Sequence, residues 1–374
     1  MKNRAIHVVF AGIFAVATAA MAAQGRNGAA QPAPQPATAA GHRALAVAAA
    51  GTDHPGLLAT VCPAPAAGGA ARGGAGAGRA SAGAARGGAG ANAAGTGRAG
   101  GAAAQAPTPA RGAVRAAPAR ETWHAEPVKV FDNLYWLGQT EYSVWAVNTS
   151  AGIIIIDTIF DYSVEDEVVD GLKKVGLDPA NIKYVIVSHG HSDHSGGAKL
   201  LQDRFHARVL MSKADWDLLD RSNGTKPSRD MVVEDGQQLT LGDETLTMYL
   251  TPGHTPGTIS TIIPVKENGE THTAAAWGGT AYNFTITPDK GREYWFHTYI
   301  ASALRFQAVE QAAKADVVIA NHTNFDGSKQ KLPAMKNRKP GDPNPWVIGT
   351  DAANRYMTVV VECAKAGLAE LEGR

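Results

Sequence analysis

A chain of 374 residues with a formal charge of +1, 18% charged residues and two cysteines has room for two domains of ordinary size. Two cysteines exclude a disulfide-stapled scaffold and a cysteine-rich zinc module. No stretch beyond the N-terminus approaches the ~20 apolar residues of a membrane span, which excludes a polytopic membrane protein. The averages conceal a division, because 21 of the 42 glycines fall in the first 120 residues. Residues 24–120 hold nine arginines, no lysine and one acid, Asp53, a net +8. Lys2 and Arg4 add +2 ahead of that segment, which leaves −9 for residues 121–374, so a basic tail precedes an acidic body.

Residues 1–23 read as a secretory signal peptide. Lys2 and Arg4 form a positive start, Ile6–Ala20 is apolar apart from His7, and Ala20-Met21-Ala22 is the small-x-small pattern of a cleavage site. The expected location is periplasmic or secreted, with no stable membrane insertion after cleavage. Residues 24–120, rich in Ala, Gly and Pro, carry too little large apolar surface to offset the entropy of ordering and read as a disordered linker. Its Arg-Gly-Gly triplets raise single-stranded nucleic-acid binding, but no aromatic residue lies between Gln24 and Thr122 to stack on a base, so no nucleic-acid partner is expected. One island, Asp53–Cys62, has hydrophobic content enough to dock on the body. Cys363 is the other cysteine. Its helical spacing with Tyr356, Val359 and Val360 favours a buried apolar residue over a partner for Cys62.

Residues 121–374 form one domain-sized body. Pro127–Leu137 and Tyr142–Asn148 read as strands, and the four isoleucines within Gly152–Asp157 suit a strand buried on both faces. Ser163–Val175 reads as a helix, with acids first and Lys173-Lys174 last, as the helix dipole favours. Lys183–Val187 is a buried strand, followed by helix Ala198–Phe205, strand Ala207–Met211, helix Ala214–Leu219 and hairpin-like strands from Met231 to Val265. This order predicts an α/β layered domain.

The chemistry lies on loops that follow these strands. His189-Gly190-His191-Ser192-Asp193-His194 packs three of the twelve histidines and an aspartate into six residues. In extended backbone His189 and His191 point the same way and can chelate one metal, while Asp193 and His194 turn toward a second. Gly196-Gly197 then allows a turn into a helix. His254, bracketed by turn residues in Leu250–Gly257, and His322, at the end of Val317–Asn321, complete a ligand set. Ser188 and Ser195 lack a nucleophile's context and read as caps. Trp216 reads as core in preference to a substrate wall.

The H-x-H-x-D-H run, the G-H-T-P-G segment, Asp157 closing an apolar strand and the late His322 together resemble the metallo-β-lactamase-fold hydrolases, over about residues 125–325. The resemblance implies a four-layer αββα sandwich with two zinc ions at one edge. It implies His189, His191 and His254 on the first zinc, Asp193, His194 and His322 on the second, and Asp157 behind them orienting the loop. The ligand set, with no cysteine and no acid in Ala276–Asn283, is most similar to the third subclass of class B β-lactamases. That likeness implies a small-molecule substrate and hydrolysis of a cyclic amide, with Asp193 as the catalytic carboxylate and Thr280, Tyr282 and Asn283 along one wall. Trp277-Gly278-Gly279-Thr280 departs from the subclass pattern. A lactone, thioester or phosphodiester is the alternative substrate, and a non-catalytic metal-holding envelope protein the alternative of another class.

Overall fold

The run Gly152–Ile156 shows how the layers arise. Successive side chains of a strand point to opposite faces. Ile153 and Ile155 therefore enter a core shared with helices, while Ile154 and Ile156 enter a second core between two sheets. A strand apolar at every position needs cover on both faces, and the chain supplies it.

The computed structural model describes residues 37–62 and 117–374. In chain order the elements are helices α1 (Ala39–Ala50) and α2 (Pro55–Val61), then strands β1 (Val128–Lys129), β2 (Leu134–Gly138), β3 (Ser143–Thr149) and β4 (Gly152–Ile156). A π-helical turn over Glu165–Val169 runs into α3 (Asp170–Lys174). After it come β5 (Ile182–Ile186), α4 (Ser192–Ser195), α5 (Ala198–Phe205), β6 (Arg208–Ser212) and α6 (Lys213–Asp220). Strands β7 (Met231–Val233), β8 (Gln237–Leu241), β9 (Glu244–Leu250), β10 (Ile259–Glu267) and β11 (Glu270–Ala276) lead to α7 (Arg292–Ala312). The chain ends with β12 (Val317–Ile319), α8 (Ser328–Lys336) and α9 (Thr350–Leu371).

Strands β1 to β7 form one sheet in sequence order, antiparallel through β4 and parallel from β4 to β7. The other sheet has the order β12-β11-β10-β9-β8, with only β11 and β12 parallel. Val168, Leu172, Leu201 and Trp216 cover the outer face of the first sheet. Phe296, Tyr299, Phe306 and Val360 cover that of the second. Leu134, Trp145, Ile263 and Ile319 lie between the sheets. The expected αββα sandwich is present. Among the described residues no helix is long and apolar enough to cross a membrane.

The structure differs from the sequence reading at three places. Pro127–Leu137 is not one strand, because Val130 and Phe131 both donate backbone N–H groups to Leu134 O and turn the chain between β1 and β2. The linker assignment fails for residues 39–50, which form α1, while the Asp53–Cys62 island docks on the body as its hydrophobic content allowed, as α2. Ala46, Leu57 and Val61 supply the apolar surface that the segment's average conceals, and the face of α9 gives it somewhere to go. Cys363 is buried on α9 as expected, yet it is also bonded to Cys62, 301 residues away. Closing a loop of that length removes about 5–6 kcal/mol of chain entropy from the unfolded state. The signal-peptide assignment and the rest of the linker lie outside the described residues.

Trp145 ties the two sheets beneath the loop ends. Its indole N–H donates to Ala320 O at 2.9 Å, immediately before Asn321-His322. Trp145→Phe keeps an aromatic ring but strands this buried carbonyl and leaves part of the indole's volume unfilled, so chemical denaturation should show a loss of at least about 1–3 kcal/mol.

Candidate metal centre

The ligand loops collect at one end of the sandwich, where strands stop. β5 ends at Ile186, and the chain bends through Ser188–His191 before a short helical turn, α4, begins at Ser192. That change of backbone sends His189 and His191 one way and Asp193 and His194 another. His254 sits in the turn between β9 and β10, and His322 follows β12. All six residues come together, in two groups. His189, His191 and His254 form one, and Asp193, His194 and His322 the other, with ligating atoms in each within 4.8 Å of one another. The groups adjoin, since the His189 and His194 ring centroids are 4.1 Å apart.

Hydrogen bonds fix which nitrogen faces inward. His189 Nδ1 lies 2.9 Å from Gly278 O and His254 Nδ1 2.9 Å from Ala281 O. Carbonyl oxygens only accept, so both Nδ1 atoms carry protons and both Nε2 atoms are bare. Those two Nε2 atoms face each other at 3.1 Å, and His191 Nδ1 stands 3.1 Å from that of His254. Burial, reinforced by neighbouring imidazoles, pushes His189 well below its ordinary pKa and His254 down to about 3, so neither ring relieves the clash by taking a second proton. Three converging lone pairs fit a metal ion.

The second group is held differently. Asp193 Oδ2 lies 3.3 Å from His194 Nε2, and His322 Nε2 lies 3.2 Å from the same nitrogen. His194 Nδ1 donates to Asp157 Oδ2 at 2.9 Å. Burial disfavours charge on His194, yet the Asp193 and Asp157 carboxylates on either side outweigh it and raise its pKa to about 10. Burial likewise opposes ionisation of Asp193, but His194 and His322 hold its carboxyl well below the usual range. In the metal-free chain a proton therefore occupies the place of a cation, and a metal ion must displace it.

Asp157 does more than cap a turn. Its Oδ1 accepts from Ser188 N at 2.7 Å, and its Oδ2 accepts from Ser188 Oγ at 2.8 Å. The two serines do not cap helices as expected: Ser188 Oγ donates to Asp157, and Ser195 Oγ donates back to His191 O within α4, while His191 and Gly197 hold the N-cap positions. Trp216 is fully buried and donates to Met231 O, so it belongs to the core.

The expected substrate wall is only partly there. Thr280 is 1% exposed and cannot meet a ligand, and the Tyr282 hydroxyl donates to Val360 O on α9. Both turn inward because Tyr299 accepts from Trp277 and donates to Thr280 O, drawing the segment onto α7. Asn283 is exposed. The residue that reaches the cluster is Thr285, whose Oγ1 lies 3.2 Å from His191 Nε2 and whose N–H donates to His254 O.

Asp215, on α6, was also missed. Fully buried, it accepts from Gly190 N, Thr255 Oγ1 and Gly257 N, each within 2.8 Å, and so clamps the His189–His191 loop to the His254 turn. Burial raises its pKa to about 6 against those three bonds. An aspartate in a helical sequence carries no local mark of such a role.

The Gly278-Gly279 departure has a steric cause. A Cβ on Gly278 would collide with Ile259 O, and one on Gly279 would lie 2.5 Å from His254 Cβ. The close approach lets Gly278 O reach His189. Gly279→Ala should displace His254 and lower the first group's metal affinity about 10–100-fold, measurable by competition with a chromophoric chelator.

The family model of the metallo-β-lactamase superfamily matches residues 137–267. Metallo-β-lactamase domain-containing protein 1 of Xenopus laevis is 35% identical over 112 residues, 30% of this chain and 43% of that protein. A hydroxyacylglutathione hydrolase of Mesorhizobium japonicum is 31% identical over 109 residues, 29% of this chain and 39% of that protein. The chain thus spans about two fifths of the length of these curated relatives. Among solved structures, a subclass B3 metallo-β-lactamase of Bradyrhizobium japonicum superposes with a TM-score of 0.57 at 26% identity, covering 67% of this chain and 96% of that one. The native metallo-β-lactamase from Legionella gormanii gives 0.57 at 22% identity, with 67% and 98% covered, a likeness of fold.

Proposed function

We propose that this chain, whose residues 137–267 match the family model of the metallo-β-lactamase superfamily, is an exported two-zinc hydrolase opening the carbonyl–nitrogen bond of a cyclic amide, as in a β-lactam. The observation that carries this reading is the donor set of two adjoining groups, five imidazoles and one carboxylate, with no thiolate and no shared acid. The similarity to the subclass B3 enzyme of Bradyrhizobium japonicum supports it. Export is supported by the pattern of residues 1–23 and by the Cys62–Cys363 bond, since disulfides persist in oxidising compartments.

His189, His191 and His254 would hold one zinc and Asp193, His194 and His322 the other. When bound, the pair supplies Lewis acidity toward a carbonyl oxygen and a nucleophile from water at neutral pH. The chain's own residues supply position. Asp193, whose Oδ2 lies 3.3 Å from His194 Nε2 and 3.6 Å from His322 Nε2, is placed to orient the attacking water. Asp157 fixes the His194 ring, and Thr285 fixes that of His191. Exposed Asn283 stands beside the approach as a substrate contact.

A thioester is the second reading, favoured by the similarity to a hydroxyacylglutathione hydrolase. Against it stands the acid-free segment Ala276–Asn283. Purified protein should turn over nitrocefin and a carbapenem, a chelator should abolish the rate, and zinc should restore it. Asp193→Asn should lower kcat by about 10²–10⁴. Turnover of a lactone, thioester or phosphodiester with β-lactams inert would move the assignment to that substrate, and a full rate in the metal-free protein would falsify the metal reading. Asp157→Asn should weaken metal at the second group about 10–100-fold and spare the first, as read by stepwise calorimetric titration.

A further inference from the structure

We propose that the N-terminal hairpin of α1 and α2 is a positioning element of the metal centre, which braces the His322 loop from outside and is latched in place by the Cys62–Cys363 bond. The inference rests on the two-group metal reading but on no choice of substrate.

The His322 loop has two sides. On one side Thr323 Oγ1 donates to Thr140 O at 2.7 Å, Ser143 N donates to Asn321 O at 2.9 Å, and the Tyr142 ring lies 4.9 Å from that of His322. On the other side stands α2. Gly56 approaches Asn324 so closely that a Cβ there would lie 3.3 Å from Asn324 O, and Asn324 Nδ2 reaches Thr60 Oγ1 at 3.4 Å. The Phe325 ring is 5.3 Å from the His322 ring and is buried in the same apolar cluster as Leu57 and Val61. Contacts therefore run from α2 to Asn324, and from its neighbour Phe325, in the same apolar cluster as α2, to a ligand histidine.

The hairpin is tied to α9 at four further points. His42 Nδ1 meets Glu362 Oε2 at 2.7 Å, Arg43 pairs with Glu370, Asp53 pairs with Arg355, and His54 Nε2 meets Ala352 O at 2.7 Å. Three of these are side-chain ion pairs, and the Arg43 and Asp53 pairs lie partly in solvent, where each is worth little. The disulfide closes the end of α2 that bears Thr60 and Val61, next to the contacts with Asn324 and Phe325. Loss of that bond frees the part of the hairpin that touches the ligand loop.

The test uses the full-length chain. In metal-free protein, Cys62→Ser with Cys363→Ser should accelerate amide exchange over residues 322–328 about tenfold and leave 189–194 unchanged. After loading and dialysis the native chain should keep two zinc equivalents and the double variant one. Leu57→Ala should behave like the double variant, and Leu57→Met, which retains the packing volume, should restore both readouts. Should the serine variant fail to fold, phosphine reduction of the folded native chain must produce the same exchange change. A lower melting temperature with exchange at 322–328 and both equivalents unaltered would make the hairpin a mere cover and overturn the proposal. If the native chain holds fewer than two zinc ions, the two-metal reading fails while the exchange arm still decides the bracing.

Discussion

The buried carboxylate of Asp157 is the point on which the metal centre hangs. It accepts from the backbone and side chain of Ser188 at the start of the ligand loop and from the His194 ring at its end. One side chain at the tip of β4 thus spans the loop and sets its width. The backbone there is unusual, with Asp157 at φ 60° and the β-branched, fully buried Ile159 at φ 50°. Such conformations cost of order 1–3 kcal/mol each and persist only where the surroundings over-determine them. Here they are held by Thr158, which donates its N–H and hydroxyl to His194 O, and by Gly196 and Gly197. A Cβ on Gly197 would lie 2.5 Å from Thr158 O. The glycines after the histidine run serve close packing of two loops, not the turn into a helix.

Around that point the fold works by bringing acceptors to histidines. Gly278 O and Ala281 O, both on the segment after β11, decide that His189 and His254 present Nε2. Asp157 does the same for His194, and the Thr285 hydroxyl lies against His191 Nε2. Four of five imidazoles are therefore oriented by groups from outside their own loops. Asp215 joins two of these loops by accepting three hydrogen bonds in a fully buried site. Pre-set lone pairs avoid the entropy of arranging ligands when a metal arrives.

Much of this was legible locally. The four isoleucines of β4, the helix over Ala198–Phe205 and the strand before Ser188 follow from periods of 2 and 3.6 residues and lie within a residue or two of expectation. Parity pairs His189 with His191, but it would add Asp193 to them, and the turn into α4 at Ser192 is what sends Asp193 and His194 to the other group. What failed depended on distant partners. Residues 39–50 look like the rest of an Ala-rich, Gly-rich tract until α9 offers them a face, whereas Asp53–Cys62 carried its own hydrophobic signal, and Thr280 and Tyr282 look like a polar wall until Tyr299 draws them inward.

The sequence by itself determined the layered class and the six candidate ligands, because strand periodicity and clustered histidines are properties of neighbouring residues. Only the tertiary structure decided that Cys62 meets Cys363, that Thr285 stands in place of Thr280, that Asp215 clamps two loops, and that Gly278-Gly279 must be small. Each of these is a contact between residues far apart in the chain, and no local pattern encodes the distance between them once folded. The near-neutral total of +1 is a sum over the sequence. It sums a basic tail and an acidic body, while the field at the centre is set by where Asp157 and Asp193 lie beside His194.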